Sequence, residues 1–182
     1  MLLGVSKTLQ QYLLTRIPNT VADWVTIAAL QQDEPLSLPQ NKLVLFLYAV
    51  EENPHLRNRG PVPTSAGFVQ PPLAMTLHYL ITYLSKDGSD AQDWLSQVLR
   101  VLQSQQRIGP GELDPTLAGE VEHLTVRMRT VTPEDVQKIW TALNLGMRLS
   151  LYYDVDAALI APFEQTPTPP VQRRDVAIGA AS

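Results

Sequence analysis

The sequence contains no cysteine among its 182 residues. This absence excludes disulfide bonds, thiolate metal ligands and cysteine nucleophiles, and it fits folding in a reducing compartment. Charged residues make up only 18% of the chain and the net charge is −4. We therefore expect no nucleic-acid partner, because phosphate binding usually needs a basic surface.

Long apolar runs are also missing. No uninterrupted run approaches the roughly 18 residues that a membrane-spanning helix needs. The first seven residues lack the basic-then-apolar order of a signal peptide. The sequence therefore predicts no membrane span and a cytoplasmic location where the protein is made.

Residue patterns for catalysis or metal binding are absent as well. His55, His78 and His123 have no second ligand at metal spacing, and we expect His78 to be a hydrogen-bonded residue on a sheet face. Glu51 and Glu52 would point to opposite sides of a strand, which makes them poor acid/base partners. No phosphate-binding glycine loop or nucleophile elbow occurs. The sequence thus predicts no enzyme, no metal and no cofactor.

Length and composition favour one domain with a tail. Apolar residues make up 45% of the chain, which is enough to build a real core. Residues 166–170 read Thr-Pro-Thr-Pro-Pro, typical of an extended linker, and residues 171–178 have the composition of a short strand. We assign residues 1–161 to the domain and residues 162–182 to a proline-rich linker and C-terminal arm.

Hydrophobic periodicity predicts long alternating strands with helices between them. This order indicates an α+β fold, a mixed or mainly antiparallel β-sheet with helices packed on one face. The predicted helices cover residues 2–17, 90–105 and 133–143, and the predicted strands cover residues 42–50, 73–84, 121–131 and 147–156, with residues 20–30 ambiguous but leaning towards a strand.

Several finer expectations follow from the same patterns. Ser89 is a plausible N-cap of the second helix, and Thr132 followed by proline is a strong start for the third. Alternation places Met128 on the inward face of its strand, and Met147 and Leu149 on one face of theirs with Leu151, Tyr153 and Val155.

The two most apolar strands are joined by a connection of about twenty residues, and loops of that length are usually functional or disordered. Residues 51–59 read Glu-Glu-Asn-Pro-His-Leu-Arg-Asn-Arg, and arginine suits bidentate recognition of carboxylates. Two interpretations stay open, a solvated turn begun by Asn-Pro and a partner-binding loop. Arg127 and Arg129 on an outward strand face, and Arg173 with Arg174 in the tail, are weaker signals.

The residues around this loop resemble a known family. Residues 47–59 read Leu-Tyr-Ala-Val-Glu-Glu-Asn-Pro-His-Leu-Arg-Asn-Arg, and residues 71–83 read Pro-Pro-Leu-Ala-Met-Thr-Leu-His-Tyr-Leu-Ile-Thr-Tyr. Both segments resemble the cap, or tail-terminator, proteins of phage-tail-like contractile injection systems. The resemblance extends over residues 1–160. The chain departs from the family pattern in the uncharged loop tip at residues 60–67 and in the turn at residues 85–89.

The resemblance implies a tail-terminator-like fold and a non-enzymatic, structural role. Family members form a homo-hexameric ring on the distal end of the particle, where they contact the inner tube protein and the sheath protein. They end polymerisation and stabilise the extended sheath, so the protein would become part of the assembled injection particle. Our candidate partner-interface residues are Asn53, His55, Leu56, Arg57, Asn58, Arg59, Arg173 and Arg174.

Two alternatives belong to other functional classes. One is an adaptor domain that never assembles. The other is an enzyme or small-molecule-binding α+β domain, which would need a cleft with perturbed titratable groups. We further expect the segment Val171–Ile178 to be an arm that pairs as a strand with a neighbouring sheet edge.

Overall fold

The computed structural model describes residues 1–30, 41–53, 62–64, 67–69, 74–85 and 87–159. The described part confirms the predicted α+β class, since helices pack on a mixed sheet of six strands. The elements are α1 (Leu2–Arg16), β1 (Val25–Ile27), β2 (Lys42–Glu52), β3 (Val62–Thr64), β4 (Gly67–Val69), β5 (Ala74–Leu84), α2 (Gly88–Ser104), β6 (Arg107–Ile108), β7 (Val121–Met128), α3 (Pro133–Ala142) and β8 (Ser150–Leu159).

The sheet has the strand order β1-β2-β5-β8-β7-β6. β1 runs parallel to β2, and the other neighbouring pairs are antiparallel. β5 is the central strand as predicted, because β2 and β8 pair with it along most of its eleven residues. β3 and β4 form a separate hairpin.

Both faces of β5 are buried, and each belongs to a different core. Leu77, Tyr79 and Ile81 face the larger core, which also contains α1 and α2. Leu80 and Leu84 face a second core on the opposite side of the sheet. A strand buried on both faces needs the nearly continuous apolar run that this segment of the sequence has.

The first helix follows its sequence pattern closely. Apolar side chains at steps of three and four bury one face of α1 against the sheet. Gly4 allows the helix to approach the turn that precedes β7, because a Cβ atom there would lie 2.6 Å from Thr116 Oγ1 and 2.8 Å from Leu117 Cδ2. Thr8 Oγ1 accepts a hydrogen bond from the amide of Asp114 at 2.9 Å and fixes the same contact.

The second helix begins earlier than predicted, and Asp87 rather than Ser89 is its N-cap. The Asp87 carboxylate accepts hydrogen bonds from both the amide and the hydroxyl of Ser89, at 2.9 and 2.8 Å. A carboxylate is the better acceptor at a positive helix end, so it displaces the hydroxyl as the cap.

The third helix corrects the expectation that the helices lie on one face. Thr132 caps it as predicted by accepting a hydrogen bond from the amide of Asp135 at 3.2 Å. Trp140, however, packs in the second core, and its Nε1 donates to the hydroxyl of Tyr152 at 3.2 Å. Helices therefore cover both faces of the sheet.

Met128, predicted to point inward, is exposed, and so are Met147 and Leu149, predicted to share a strand face with Leu151, Tyr153 and Val155. Met128 is the last residue of β7, and Met147 and Leu149 precede β8, which begins at Ser150. Met128 lies at the last pair of β7 with β8, opposite Tyr153, whereas the pairing of β8 with β5 begins at Ser150 and does not include Leu149 or Met147. Sequence reasoning also missed β6 and the hairpin β3–β4, which are too short to show a period.

Candidate functional site

A polar cluster lies on the α3 side of the sheet, near the end where β2 finishes. Four neighbouring strands, or the residues just after them, supply its side chains. The opposite end of the same face is closed by the second core and Trp140. The cluster consists of Glu51, Asn53, Thr76, His78, Arg127, Arg129, Asp154 and Asp156.

Asp156 on β8 is the centre of one half of the cluster. Its Oδ1 accepts hydrogen bonds from Thr76 Oγ1 at 2.7 Å and from Asn53 Nδ2 at 3.1 Å. Its Oδ2 accepts from Arg127 Nη2 at 2.7 Å. Thr76 and Asn53 are buried, so this carboxylate satisfies two donors that water does not reach freely.

His78 on β5 is the centre of the other half. Its Nδ1 lies 2.6 Å from Asp154 Oδ1 and 2.6 Å from Arg129 Nη1. One ring nitrogen cannot donate to the first and accept from the second at once, and we assign a proton on Nδ1 donated to the carboxylate because an ionised acceptor makes the stronger bond. Arg129 then pairs with Asp154, at 3.7 Å. The prediction that His78 is a hydrogen-bonded sheet residue is confirmed.

The second ring nitrogen of His78 points towards β2. Nε2 lies 3.4 Å from Glu51 Oε2, and no hydrogen bond of good geometry reaches it from the described residues. The Tyr48 ring lies beside the imidazole, with 6.0 Å between ring centroids. Burial raises the pKa of the Tyr48 phenol, and the Arg129 guanidinium acts in the opposite direction.

A β-bulge in β2 brings Glu51 and Asn53 onto this face. Leu47 pairs with Tyr79, but the next pair is Ala49 with His78, so β2 has one extra residue at Tyr48. If Tyr48 paired with His78 in a regular ladder, the side-chain alternation would direct Glu51 and Asn53 to the opposite face.

The cluster lies at the root of the long connection between β2 and β5. The amide of Asn53 donates to the carbonyl of Ala74 at 2.8 Å, which holds the two ends of the connection together. The Asn53 side chain binds Asp156 and Thr76, the latter at 3.4 Å. Of the predicted interface residues, His55, Leu56, Arg57, Asn58, Arg59, Arg173 and Arg174 lie outside the described residues, so the cluster positions Asn53 alone among them.

Arg127 and Arg129 are more than solvent-facing charges, because both pair with buried or half-buried carboxylates of β8. The sequence contains a signal for this arrangement. Polar residues at every second position on three strands indicate one polar sheet face, and opposite charges on two of them indicate pairing. The alternating polar residues are Thr76 and His78 on β5, Arg127 and Arg129 at the end of β7, and Asp154 and Asp156 on β8.

The arrangement is suited to holding a sheet end and its loop in one geometry. The carboxylates of Asp154 and Asp156 both accept hydrogen bonds from donors of the same chain. Within the described ranges, no three His, Asp or Glu side chains come together as a metal site. Among the helices that the structure describes, none has the length and apolar character to cross a bilayer.

Comparison with protein families shows the family of this chain. Residues 4–174 match the Pvc16 N-terminal domain. The chain belongs to the Pvc16 N-terminal domain family. This match includes the loop and strand that resemble tail terminators, and it confirms that resemblance.

Two solved structures share the fold of this Pvc16 N-terminal domain. The first is the sheath/tube terminator of the extracellular contractile injection system PVC in its extended state, with a TM-score of 0.62 and 19% identity over 100% of this chain and 64% of that chain. The second is the tube-terminating cap of the anti-feeding prophage AFP, with a TM-score of 0.62 and 19% identity over 98% of this chain and 62% of that chain.

The chain thus spans less than two thirds of the length of either structure. No curated protein matches the chain. At this level of identity the two structures establish the fold, a tail-terminator-like α+β domain.

Proposed function

We propose that this Pvc16 N-terminal domain belongs to a cap that terminates the inner tube and contractile sheath of a phage-tail-like contractile injection system. The observation that carries the proposal is the agreement of fold over the whole chain with two terminators, supported by the family match over residues 4–174. The role is structural and requires no catalytic group. The protein would be made as a free subunit and then become part of the assembled particle.

Physically, a terminator must bind the last layer of a polymer and offer no site for another layer. Polymers that join by strand pairing expose unpaired edges at their ends, and those edges are the natural target of a cap. A homo-hexameric ring would match the symmetry of such an end with six equivalent head-to-tail contacts. Closing the end limits the length of the tube, and binding the sheath favours its extended state.

The loop that starts at Asn53 is our candidate for the contact with a partner. The polar cluster ties both ends of the loop to β5 and β8, so the loop leaves the sheet from a fixed base. In this proposal Arg57 and Arg59 pair with carboxylates of the tube or of a neighbouring cap subunit. His55, Leu56 and Asn58 complete the contact between them.

The C-terminal segment 162–182 is our candidate for an arm that binds a neighbour. Its proline linker suits an extended spacer, and Arg173 and Arg174 lie within a stretch of strand composition. A chain that ends at residue 161 is expected to fold but to lose ring formation or docking. Unchanged rings and unchanged docking of the truncated chain would show that the arm has no such role.

Sedimentation velocity of the purified chain tests ring formation directly. The cap proposal predicts a species of six subunits, alone or when purified tube protein is added. An adaptor or a small-molecule-binding domain would stay monomeric under both conditions. That result would remove the ring from the proposal and favour the adaptor.

A further inference from the structure

The imidazole of His78 is buried between two carboxylates that belong to the strands on either side of β5. Its Nδ1 lies 2.6 Å from Asp154 Oδ1 on β8, and its Nε2 lies 3.4 Å from Glu51 Oε2 on β2. Histidine is the side chain whose charge most readily changes between about pH 5 and about pH 8. One titratable ring therefore contacts three neighbouring strands of the sheet.

The neutral ring leaves a mismatch at Nε2. With the proton on Nδ1, Nε2 carries a lone pair and can only accept a hydrogen bond. Nε2 is buried, and no described residue makes a hydrogen bond with it. The carboxylate of Glu51 that faces it is also an acceptor, so two acceptors meet where the sheet offers no donor.

A proton on Nε2 removes this mismatch. The lone pair becomes an N–H donor aimed at Glu51, while Asp154 keeps its bond with Nδ1. A charge-assisted hydrogen bond requires Nε2 and Oε2 to approach from 3.4 Å to about 2.8 Å. The Glu51 side chain is 67% exposed, so it can make this movement without disturbing the core.

The other groups around the ring leave room for one positive charge. Arg129, just after β7, lies 2.6 Å from Nδ1 and opposes a charged ring, but it also pairs with Asp154 at 3.7 Å. Its single positive charge stands against the two carboxylates of Glu51 and Asp154, so an imidazolium balances the local charge. Burial raises the pKa of the Tyr48 phenol beside the ring, which keeps that group uncharged at neutral and acidic pH.

Glu51 is close to the root of the long connection between β2 and β5. Two residues later, the amide of Asn53 donates to the carbonyl of Ala74 at 2.8 Å and closes that root. A bond from His78 to Glu51 would hold the last residues of β2 on β5 directly before this amide. Strand ends open more readily than strand centres, so one added bond there reduces the opening of the root.

We propose that His78 is a proton switch that fixes the end of β2, and with it the root of the connection, when the pH falls. The neutral ring binds Asp154 alone. The imidazolium, which takes its second proton from water, binds Asp154 and Glu51 together. The switch requires neither a ring of subunits nor a tube, so its failure would leave the capping proposal standing.

Nitrogen-15 labelling of the histidines of the full chain tests the switch, because the chain has only three of them. The chemical shifts of the two ring nitrogens distinguish each neutral tautomer from the imidazolium, and His55→Gln and His123→Gln assign the other two rings. The proposal predicts that His78 carries its proton on Nδ1 at about pH 8 and is an imidazolium at about pH 5.5.

Glu51→Gln should lower the midpoint of the His78 titration by at least about 0.5 pH unit, because glutamine has no charge and can donate to the neutral ring. Glu120→Gln removes the same charge from an exposed residue just before β7 and should leave the midpoint unchanged. A neutral ring with its proton on Nε2, a ring that keeps one charge state throughout this range, or equal midpoints in the two variants would each overturn the proposal.

Hydrogen exchange of the Asn53 amide tests the effect on the root. Its protection, relative to an unstructured chain at the same pH, should be about threefold higher at about pH 5.5 than at about pH 8. The difference should persist in Glu120→Gln and disappear in Glu51→Gln. Equal protection at the two pH values in the unchanged chain would show that the ring does not control the root.

Discussion

At the scale of single residues, Asp156 carries more of the polar cluster than any other side chain. It accepts hydrogen bonds from two buried donors, Asn53 and Thr76, and from Arg127, whose side chain is 51% exposed. A buried donor that loses its acceptor costs about 1–3 kcal/mol, whereas an exposed ion pair is worth at most about 1 kcal/mol. The hydrogen bonds that Asp156 accepts from Asn53 and Thr76 should therefore contribute more to stability than its ion pair with Arg127.

Asp156→Ala is expected to lower the free energy of unfolding by about 2–4 kcal/mol, because it removes the carboxylate oxygen that accepts hydrogen bonds from the buried Asn53 and Thr76 side chains. Arg127→Ala removes a partner of the same carboxylate at the exposed side and should cost less than about 1 kcal/mol. Urea denaturation followed by tryptophan fluorescence measures both. Equal losses in the two variants would contradict the central position of Asp156.

Tyr79 predicts how stability depends on pH at the alkaline end. Burial raises its pKa from 10.0 to about 12, and the hydrogen bond with Ser6 at 2.8 Å acts in the opposite direction. The folded chain thus keeps a proton that the unfolded chain loses above pH 10. The contribution to stability is complete below pH 10 and is lost as the pH rises to about 12.

Tyr79→Phe should therefore flatten the fall in stability between pH 10 and pH 12, by about 2–3 kcal/mol. Chemical denaturation of both proteins across this range gives the comparison. A residual slope is expected in the variant because burial also raises the pKa of Tyr153 and of Tyr152. Identical slopes in the two proteins would show that Tyr79 ionises equally in both states.

At the scale of elements, the bulge in β2 decides which residues reach the polar cluster. The extra residue at Tyr48 shifts the pairing of β2 with β5 by one position. Glu51 and Asn53 thereby share a face with His78, Thr76 and Asp156, as their contacts show. The bulge is thus the structural cause of the anchored loop.

Inserting one alanine between Val50 and Glu51 is expected to destabilise the chain by more than about 2 kcal/mol, because residues 51 to 53 would then move one position along β5 and Glu51 and Asn53 would change face. Tyr48→Ala keeps the extra residue and loses only the contacts of a half-buried ring, which should cost about 1–2 kcal/mol. Thermal unfolding by circular dichroism separates the two. An insertion variant as stable as Tyr48→Ala would mean that the face on which Glu51 and Asn53 lie does not matter for stability.

The elements that sequence reasoning predicted well are those with a long, unbroken period. α1 and β5 show many apolar residues at the spacing of a helix or a strand, and tertiary packing did not change the structure that this spacing predicts. The bulge was invisible because residues 42–50 are apolar almost without interruption, so no alternation marks the position of the extra residue. Met147 and Leu149 continue an apolar alternation, yet the pairing of β8 with β5 begins only at Ser150, and Met128 lies at the last pair of β7 with β8.

The polar cluster was hidden for a different reason. The hydrogen bond between Asn53 and Asp156 joins two of its members that are 103 residues apart in sequence. Periodicity within one strand assigns a residue to a face, but it does not say which strand lies beside it. The partners of Arg127 and Arg129 therefore become identifiable only when the structure shows that β7 lies beside β8.

At the scale of the whole molecule, one sheet separates two cores. The larger core anchors α1 and α2, and the smaller one anchors α3. The fold agrees with two terminators over nearly the whole chain. We expect such a doubly covered sheet to act as a rigid body that positions its loops and termini for assembly.

Arg57→Glu combined with Arg59→Glu should abolish docking to tube or neighbouring subunits while the isolated chain stays folded. Lys7→Glu combined with Lys138→Glu changes the net charge by the same amount at two exposed sites and is the matched control. Co-sedimentation with purified tube protein measures docking, and circular dichroism measures folding. If the arginine variant unfolds, the two arginines are structural; if it docks like the control, the loop is not the contact.

The central claim is that this protein ends the polymerisation of tube and sheath. Electron microscopy of particles from cells that lack its gene tests this most directly, with tube and sheath lengths scored against those of particles from parent cells. The account predicts that particles are absent, prematurely contracted or of uncontrolled length. Extended particles of normal, fixed length would contradict it.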